Sequence, residues 1–212
     1  RRGISANAMY TFSKSIDNVS TFGGGGGAVV AQNDKDLHAE RGLSSFDQRH
    51  TLNLFYMLTS PVGEGSRGVQ IHGFAGRLLA GWSLSGGLTA RSGSPFTAMV
   101  LGNQANSGGT GAVGSGRADA TGLPVSGGPG FFNLLAYTVP GAGLFGNAAR
   151  NTIPGLGQVS MNASFGRGFQ LGERRHLDLR MESNNFLNHV SITRVGATVN
   201  ASNYGLATGA AG

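Results

Sequence analysis

The densest group of side chains able to do chemistry is Asp34-Lys35-Asp36-Leu37-His38-Ala39-Glu40. In an extended segment Asp34, Asp36, His38 and Glu40 share one side. Three carboxylates and an imidazole could hold Ca²⁺ or a transition metal there. Alternate residues on a strand lie about 6.5 Å apart, so only adjacent pairs could chelate together. The competing reading is a solvated polar face at the rim of a strand. A second candidate, Gly109-Thr110-Gly111-Ala112-Val113-Gly114, has the spacing of a dinucleotide fingerprint. That motif works only between a buried strand and a helix whose N-terminus meets the pyrophosphate, and neither flank supplies one.

Nucleophilic and metal catalysis leave no trace. There is no Gly-x-Ser-x-Gly elbow and no His-Glu-x-x-His. His50, His72, His176 and His189 stand singly and read as lumen or rim residues. With no cysteine, disulfides and thiolate metal centres are excluded. The expectation is a protein that is not an enzyme and carries no cofactor, the Ca²⁺ alternative at 34–40 apart. A soluble hydrolase or binding module has no residue constellation behind it.

The elements that must position these residues are strands. Along 3–13, Ile4, Ala6, Ala8, Tyr10 and Phe12 alternate with Gly3, Ser5, Asn7, Met9, Thr11 and Ser13, the period-2 pattern of a strand with one apolar face. Segments 48–59, 81–91 and 158–166 repeat the device. In 176–185 one face carries His176, Asp178, Arg180, Glu182 and Asn184, and the other Leu177, Leu179 and Met181. A row of four ionisable groups and an amide cannot face a dry core unless every member is paired, whereas it can face water freely. Arg49 and Arg91 join Asp178, Arg180 and Glu182 as candidate polar groups lining a lumen.

Connections between these strands alternate in length. Segments 14–46 and 92–157 are long, 60–80 is intermediate and 172–175 is very short, where Gly172-Glu173-Arg174-Arg175 reads as a tight turn. Short turns alternating with long loops mark outer-membrane barrels, with the short turns periplasmic and the long loops extracellular. The fold class is therefore all-β, antiparallel and up-and-down, a partial outer-membrane barrel in one segment spanning 1–212. Glycine supplies 38 of the 212 residues, against a typical share of about 7%. Much of it, including 23–27 and the run from 108 to 116, falls in the long loops. Such loops are expected to hold little packed structure.

Charge narrows the partners. The net charge of +6 comes from scattered arginines, with Lys14 and Lys35 the only lysines. A nucleic-acid surface would cluster cations with aromatics on one face, so nucleic acid is not expected. No stretch is apolar enough for a transmembrane helix. Both ends look cut, which suggests a piece of a longer or processed chain.

Several strings, in order from about residue 8 to 190, resemble one branch of the TonB-dependent receptors. These are the Oar-like outer-membrane proteins with a carboxypeptidase-regulatory-like N-terminal domain. Tyr10-Thr11-Phe12-Ser13-Lys14-Ser15-Ile16-Asp17 is similar to a strand end of that branch, and residues 40–50 resemble the start of its next strand. Gly81-Trp82-Ser83-Leu84-Ser85-Gly86, continued by Arg91-Ser92-Gly93-Ser94-Pro95-Phe96, resembles a further segment. Phe145-Gly146-Asn147-Ala148-Ala149-Arg150-Asn151 looks like a loop, Phe169-Gln170-Leu171-Gly172-Glu173-Arg174-Arg175 like the penultimate hairpin, and residues 182–189 like the segment that follows it.

The resemblance implies a 22-stranded barrel filled by a plug, which imports a bulky ligand with energy relayed by TonB. This chain would be its C-terminal quarter, set in outer-membrane lipid and coupled to TonB through parts outside it. Five strands cannot close a pore, which needs about eight or more. Either further strands complete the wall, or these strands pair with other copies of the chain. The second possibility sustains an alternative, a glycine-rich structural subunit of an extracellular filament or surface layer.

Overall fold

Where the sequence alternates over many residues, long strands form. The structure, a computed structural model, describes residues 3–18, 31–62, 68–106, 116–172 and 174–212. The 109–114 glycine motif, the 23–27 glycine run and Glu173 of the tight turn lie outside the described residues. In chain order the strands are β1 (Ile4–Phe12), β2 (Ile16–Asp17), β3 (Gly42–Leu43), β4 (His50–Thr59), β5 (Trp82–Phe96), β6 (Asp119–Ala120), β7 (Tyr137–Thr138), β8 (Ile153–Gln170), β9 (His176–Ser183), β10 (Ser191–Val195) and β11 (Ala207–Ala211). A short helix, α1 (Gly73–Leu79), joins β4 to β5, and 3-10 turns occupy Leu37–Glu40 and Leu134–Ala136.

One five-stranded sheet has the order β1-β4-β5-β8-β9, with every neighbouring pair antiparallel. Its members are the five strands expected from alternation, in sequence order, so the wall is an up-and-down meander. The sheet is open, with β1 and β9 as its edges. Pairing runs without a slip through Ile4↔Leu58, Leu58↔Leu84, Leu84↔Phe165 and Phe165↔Met181. Because a one-residue slip would turn every side chain over, this register places all the apolar rows on one face.

β5 and β8 reach well beyond the alternating stretches, to Phe96 and back to Ile153. Their pairing there is irregular, with shifts on either side of the Gly93↔Gly155 pair. A Cβ on Gly93 would sit 2.2 Å from the Leu156 carbonyl oxygen, and one on Gly155 2.1 Å from that of Ser94. Only glycine permits this approach, and the broken alternation hides the strand from a periodicity reading. At the opposite end Gly172, with φ of 105°, makes the tight turn between β8 and β9.

The long connections overturn the expectation of little packed structure. They hold the hydrophobic core: Ala98, Val100, Ala118, Phe132, Ala136, Tyr137, Ala148, Ile153 and Val195 are all buried. Most of these are small, so the segments can pack backbone to backbone. Val100 N–H donates to Gly116 O at 3.0 Å, Ala118 N–H to Ala98 O at 3.0 Å, and Ala148 N–H to Ala118 O at 2.9 Å. The segment before β11 joins from the other side, with Met99 N–H on Ala197 O at 3.0 Å and Val199 N–H on Met99 O at 2.8 Å. Phe132 meets Tyr204 edge to face at 5.5 Å, and the Tyr204 hydroxyl donates to Leu134 O at 3.1 Å. We refer to this body as the loop module.

Two outcomes follow for the module. Phe132→Ala should cost it about 3–5 kcal/mol, read as lost amide-exchange protection at Ala118 and Ala148 while the amides of β4 and β5 keep theirs. Burial, with Tyr137 adding to it, pushes the Tyr204 phenol up to about 12. The fold thus favours the neutral phenol, so its contribution is complete below the ordinary value of about 10 and is lost as pH climbs from there through the raised one. Tyrosinate absorbance should show a late step that Tyr204→Phe removes.

Candidate functional site

The sheet's two faces differ in chemistry. On one lie Ile4, Ala6, Ala8, Leu54, Leu58, Leu84, Leu88, Met161, Phe165, Leu177, Leu179 and Met181, joined by the continuous register. Many are open to the surroundings: Ile4 is 69% exposed, Met181 68% and Leu179 56%. The other face carries Ser5, Asn7, Asn53, Ser83, Ser85, Gln158, Ser160, Asn162 and Ser164, with exposed Phe55 and Met57 among them.

Rings gather at both ends of the apolar face. Tyr10 and Phe12 flank His50, with the Tyr10 hydroxyl 2.7 Å from His50 Nδ1 and the Phe12 and His50 rings 5.2 Å apart. At the far end Trp82 stacks on Phe165 at 4.5 Å with 8° between the planes, and Phe169 meets Trp82 edge on at 6.4 Å. Tyr10 pairs with Leu52, which pairs with Ala90 of β5, the strand that begins at Trp82. The two aromatic groups are therefore about 27 Å apart along the strand at a rise of about 3.4 Å per residue. At a tilt of about 40° that is roughly 20 Å of height, close to the apolar band of a membrane barrel.

Four of the five polar residues singled out from sequence lie on the polar face, three of them grouped on β9 and Arg91 apart from them toward the long-loop end. Arg91 faces Gln158, to whose Oε1 its Nε donates at 2.8 Å. On the edge strand Asp178 opposes Gly168, Arg180 opposes Gly166 and Glu182 opposes Ser164. The β9 residues make separate exposed polar contacts. His176 Nε2 lies 2.8 Å from Asp178, Arg180 Nη2 2.6 Å from Glu182, and Arg180 Nε donates to Ser164 Oγ at 2.9 Å. Exposed pairs of this kind contribute at most about 1 kcal/mol, so their use is to present charge to water. Arg49 lies just before β4, half-buried, with its guanidinium 5.9 Å from the Phe12 ring centre. A groove of about 700 Å³ runs between this polar face and the turn that carries Asn185 and His189. Phe55, Arg91, Gln158 and Asn162 line its sheet side.

Asp34, Asp36, His38 and Glu40 do not converge. Residues 37–40 form a 3-10 turn rather than a strand, and Asp36 caps it by accepting from Ala39 N–H at 3.4 Å. Glu40 is instead buried in the loop module, 3.3 Å from Arg117 Nη2, where it also accepts from Gln32 N–H at 3.0 Å. Among the described residues no group of three or more His, Cys, Asp or Glu side chains is placed to hold a metal.

Arg117 was not legible as a partner of Glu40, because 77 residues separate them and nothing local marks the pair. Its Nη1 also donates to Ala39 O at 3.0 Å. Burial holds its guanidinium below the ordinary arginine value, opposed by Glu40 and reinforced by Arg150. Arg150 is itself buried against Asp17, and Asn151 Nδ2 donates to Leu43 O at 2.5 Å. These contacts tie the 14–46 connection to the 92–157 connection. Arg167 was also missed, although a signal exists: it lies on the apolar row between Phe165 and Phe169, where a cation needs a reason to be.

Glu40→Ala should therefore destabilise the module by about 3–5 kcal/mol, because it leaves the Arg117 charge buried alone. The double substitution Glu40→Ala with Arg117→Met should recover most of that loss. Resistance of segment 92–157 to limited proteolysis would report both.

Comparison with known proteins agrees with the geometry. The family model described as an outer membrane beta barrel domain matches residues 1–212. Searches of the curated proteins and of the solved structures returned no match. An open antiparallel wall with one apolar and one polar face, matched over its full length by that family, places the protein in the bacterial outer membrane: the chain belongs to the outer membrane beta barrel domain family.

Proposed function

We propose that the chain is part of the wall of a TonB-dependent receptor that takes up a bulky ligand. The observation that carries this reading is the sheet itself, with one face apolar across all five strands, exposed at β1 and β9 and half-buried or exposed between them, and the other face polar. On this reading the apolar face meets outer-membrane lipid, and Arg91, Asp178, Arg180 and Glu182 face the lumen with Arg49 at its rim. The loop module, at the end of the sheet where the connections are long, is extracellular. Support for the receptor class comes from the ordered strings between residues 8 and 190 that resemble it. Function would be ligand binding and conformational release, with no bond made or broken. TonB would act through parts of the receptor outside this chain.

Among the described residues the outer edges of β1 and β9 have no partner strand, which favours one other reading. Lipid cannot satisfy a bare row of N–H and C=O groups, so each edge needs a partner strand. In a receptor the rest of the barrel supplies it. In a filament or surface layer another copy would.

One experiment separates them. The intact protein carrying this chain, purified in detergent, should stay dispersed and be captured by the periplasmic domain of TonB. Failure of capture, together with polymers that sediment without detergent, would overturn the receptor reading in favour of the structural subunit.

A further inference from the structure

We propose that α1 and the residues that hold it form a foot that sits in the phospholipid headgroup layer of the inner leaflet. The inference rests on the reading of the apolar face as lipid-facing, and goes beyond it in giving a bound partner to a connection outside the wall.

α1 has seven residues, too short to persist alone in water. The sheet holds it. The Arg167 guanidinium donates to the carbonyls of Arg77 and Leu78, the Trp82 indole N–H donates to Leu78 O at 2.9 Å, and Ser60 Oγ donates to Leu79 O at 3.2 Å. The same guanidinium lies 4.3 Å from the centre of the Phe169 ring and 5.6 Å from that of Trp82. The last carbonyls of the helix are thus satisfied by Arg167 and Trp82 of the strands and by Ser60 just after β4, and the cation on the apolar row has its explanation.

What the helix then presents is apolar. Phe74 and Leu78, four residues apart and so on one face, are 83% and 51% exposed, and Leu79 is exposed beside them. A phenylalanine fixed in that position by hydrogen bonds to its own helix has no use in water. An amphipathic helix lying in the plane of a bilayer buries such a face at the boundary of headgroups and acyl chains. Two observations choose lipid as the occupant. The helix is joined to the apolar face of the sheet through Trp82, whose indole N–H bonds to Leu78 O and whose ring stacks on Phe165, and tryptophan favours that boundary. The same end of the sheet carries exposed Arg174 and Arg175, whose charge complements lipid phosphates. It is also the end of the tight turn, and hence the periplasmic side.

The test uses the intact protein, with any cysteines elsewhere replaced, reconstituted in phosphatidylethanolamine/phosphatidylglycerol vesicles. A polarity-sensitive fluorophore is attached at Phe74→Cys, Leu78→Cys, Leu54→Cys or Ser85→Cys in turn. Iodide quenching at 74 and 78 should be at least about fivefold weaker than at 85. Nitroxide lipids labelled near the headgroup should quench 74 and 78 more strongly than lipids labelled deep in the chain, with the opposite order at 54. Iodide quenching at 74 and 78 equal to that at 85 would overturn the foot, as would shielding from iodide and nitroxide lipid alike, which means a protein covers it. Lipid quenching at 54 with none at 74 and 78 rejects the foot alone. Its absence at 54 as well rejects the barrel wall on which the foot depends.

Discussion

An apolar face spread over five strands can persist only if the backbone between its side chains is fully paired and water is kept from the side chains themselves. The meander β1-β4-β5-β8-β9 meets the first condition where its strands pair with one another, while the outer edges of β1 and β9 call for partner strands beyond it. The second condition lies outside the chain. Nothing among the described residues covers Ile4, Leu179 or Met181, and the family match over residues 1–212 places the protein that carries this face in the outer membrane. Register is the means by which sequence enforces this. With a side-chain period of two, one slipped residue would carry Asp178, Arg180 and Glu182 onto the apolar side.

That constraint also explains where the hydrophobic core is. In a soluble sheet the apolar rows would be the core; here they are turned outward, and the buried residues collect in the loop module. The fully buried residues of its core are mostly alanine and valine, with no leucine among them, so its segments pack by close backbone approach. Arg117 with Glu40 and Arg150 with Asp17 bridge connections far apart in sequence. Buried pairs of this sort add little net stability, yet either member left alone is costly. They therefore specify how the two long connections lie against each other more than they strengthen the fold.

The five strands and their faces were legible because alternation is a local signal, strongest where charged and apolar residues interleave, as from His176 to Ser183. The parts that were not legible depend on distant partners. Glycine-rich stretches around 98–151 read as loose connections because small residues carry no period, and their packing is set by contacts such as Met99 with Ala197. The extension of β5 and β8 was hidden by Gly93 and Gly155, which break alternation while permitting close strands. The acidic run at 34–40 looked like a ligand set because its residue types fit one. In the fold Glu40 is taken by Arg117 and Asp36 by the 3-10 turn. Residue type suggested chemistry there, and the contacts of Glu40 are set by a partner far away in sequence.

The central claim is that one face of this sheet meets lipid and the other meets water. It is tested most directly on the edge strand β9, where the two chemistries alternate residue by residue. Spin labels placed singly at positions 176 to 181 in the intact protein, reconstituted in bilayers, report collisions with dissolved oxygen and with a water-soluble nickel chelate. Oxygen collisions should peak at 177, 179 and 181, and nickel collisions at 176, 178 and 180, in opposite phase. Profiles that are flat, in phase with each other, or inverted would contradict the account.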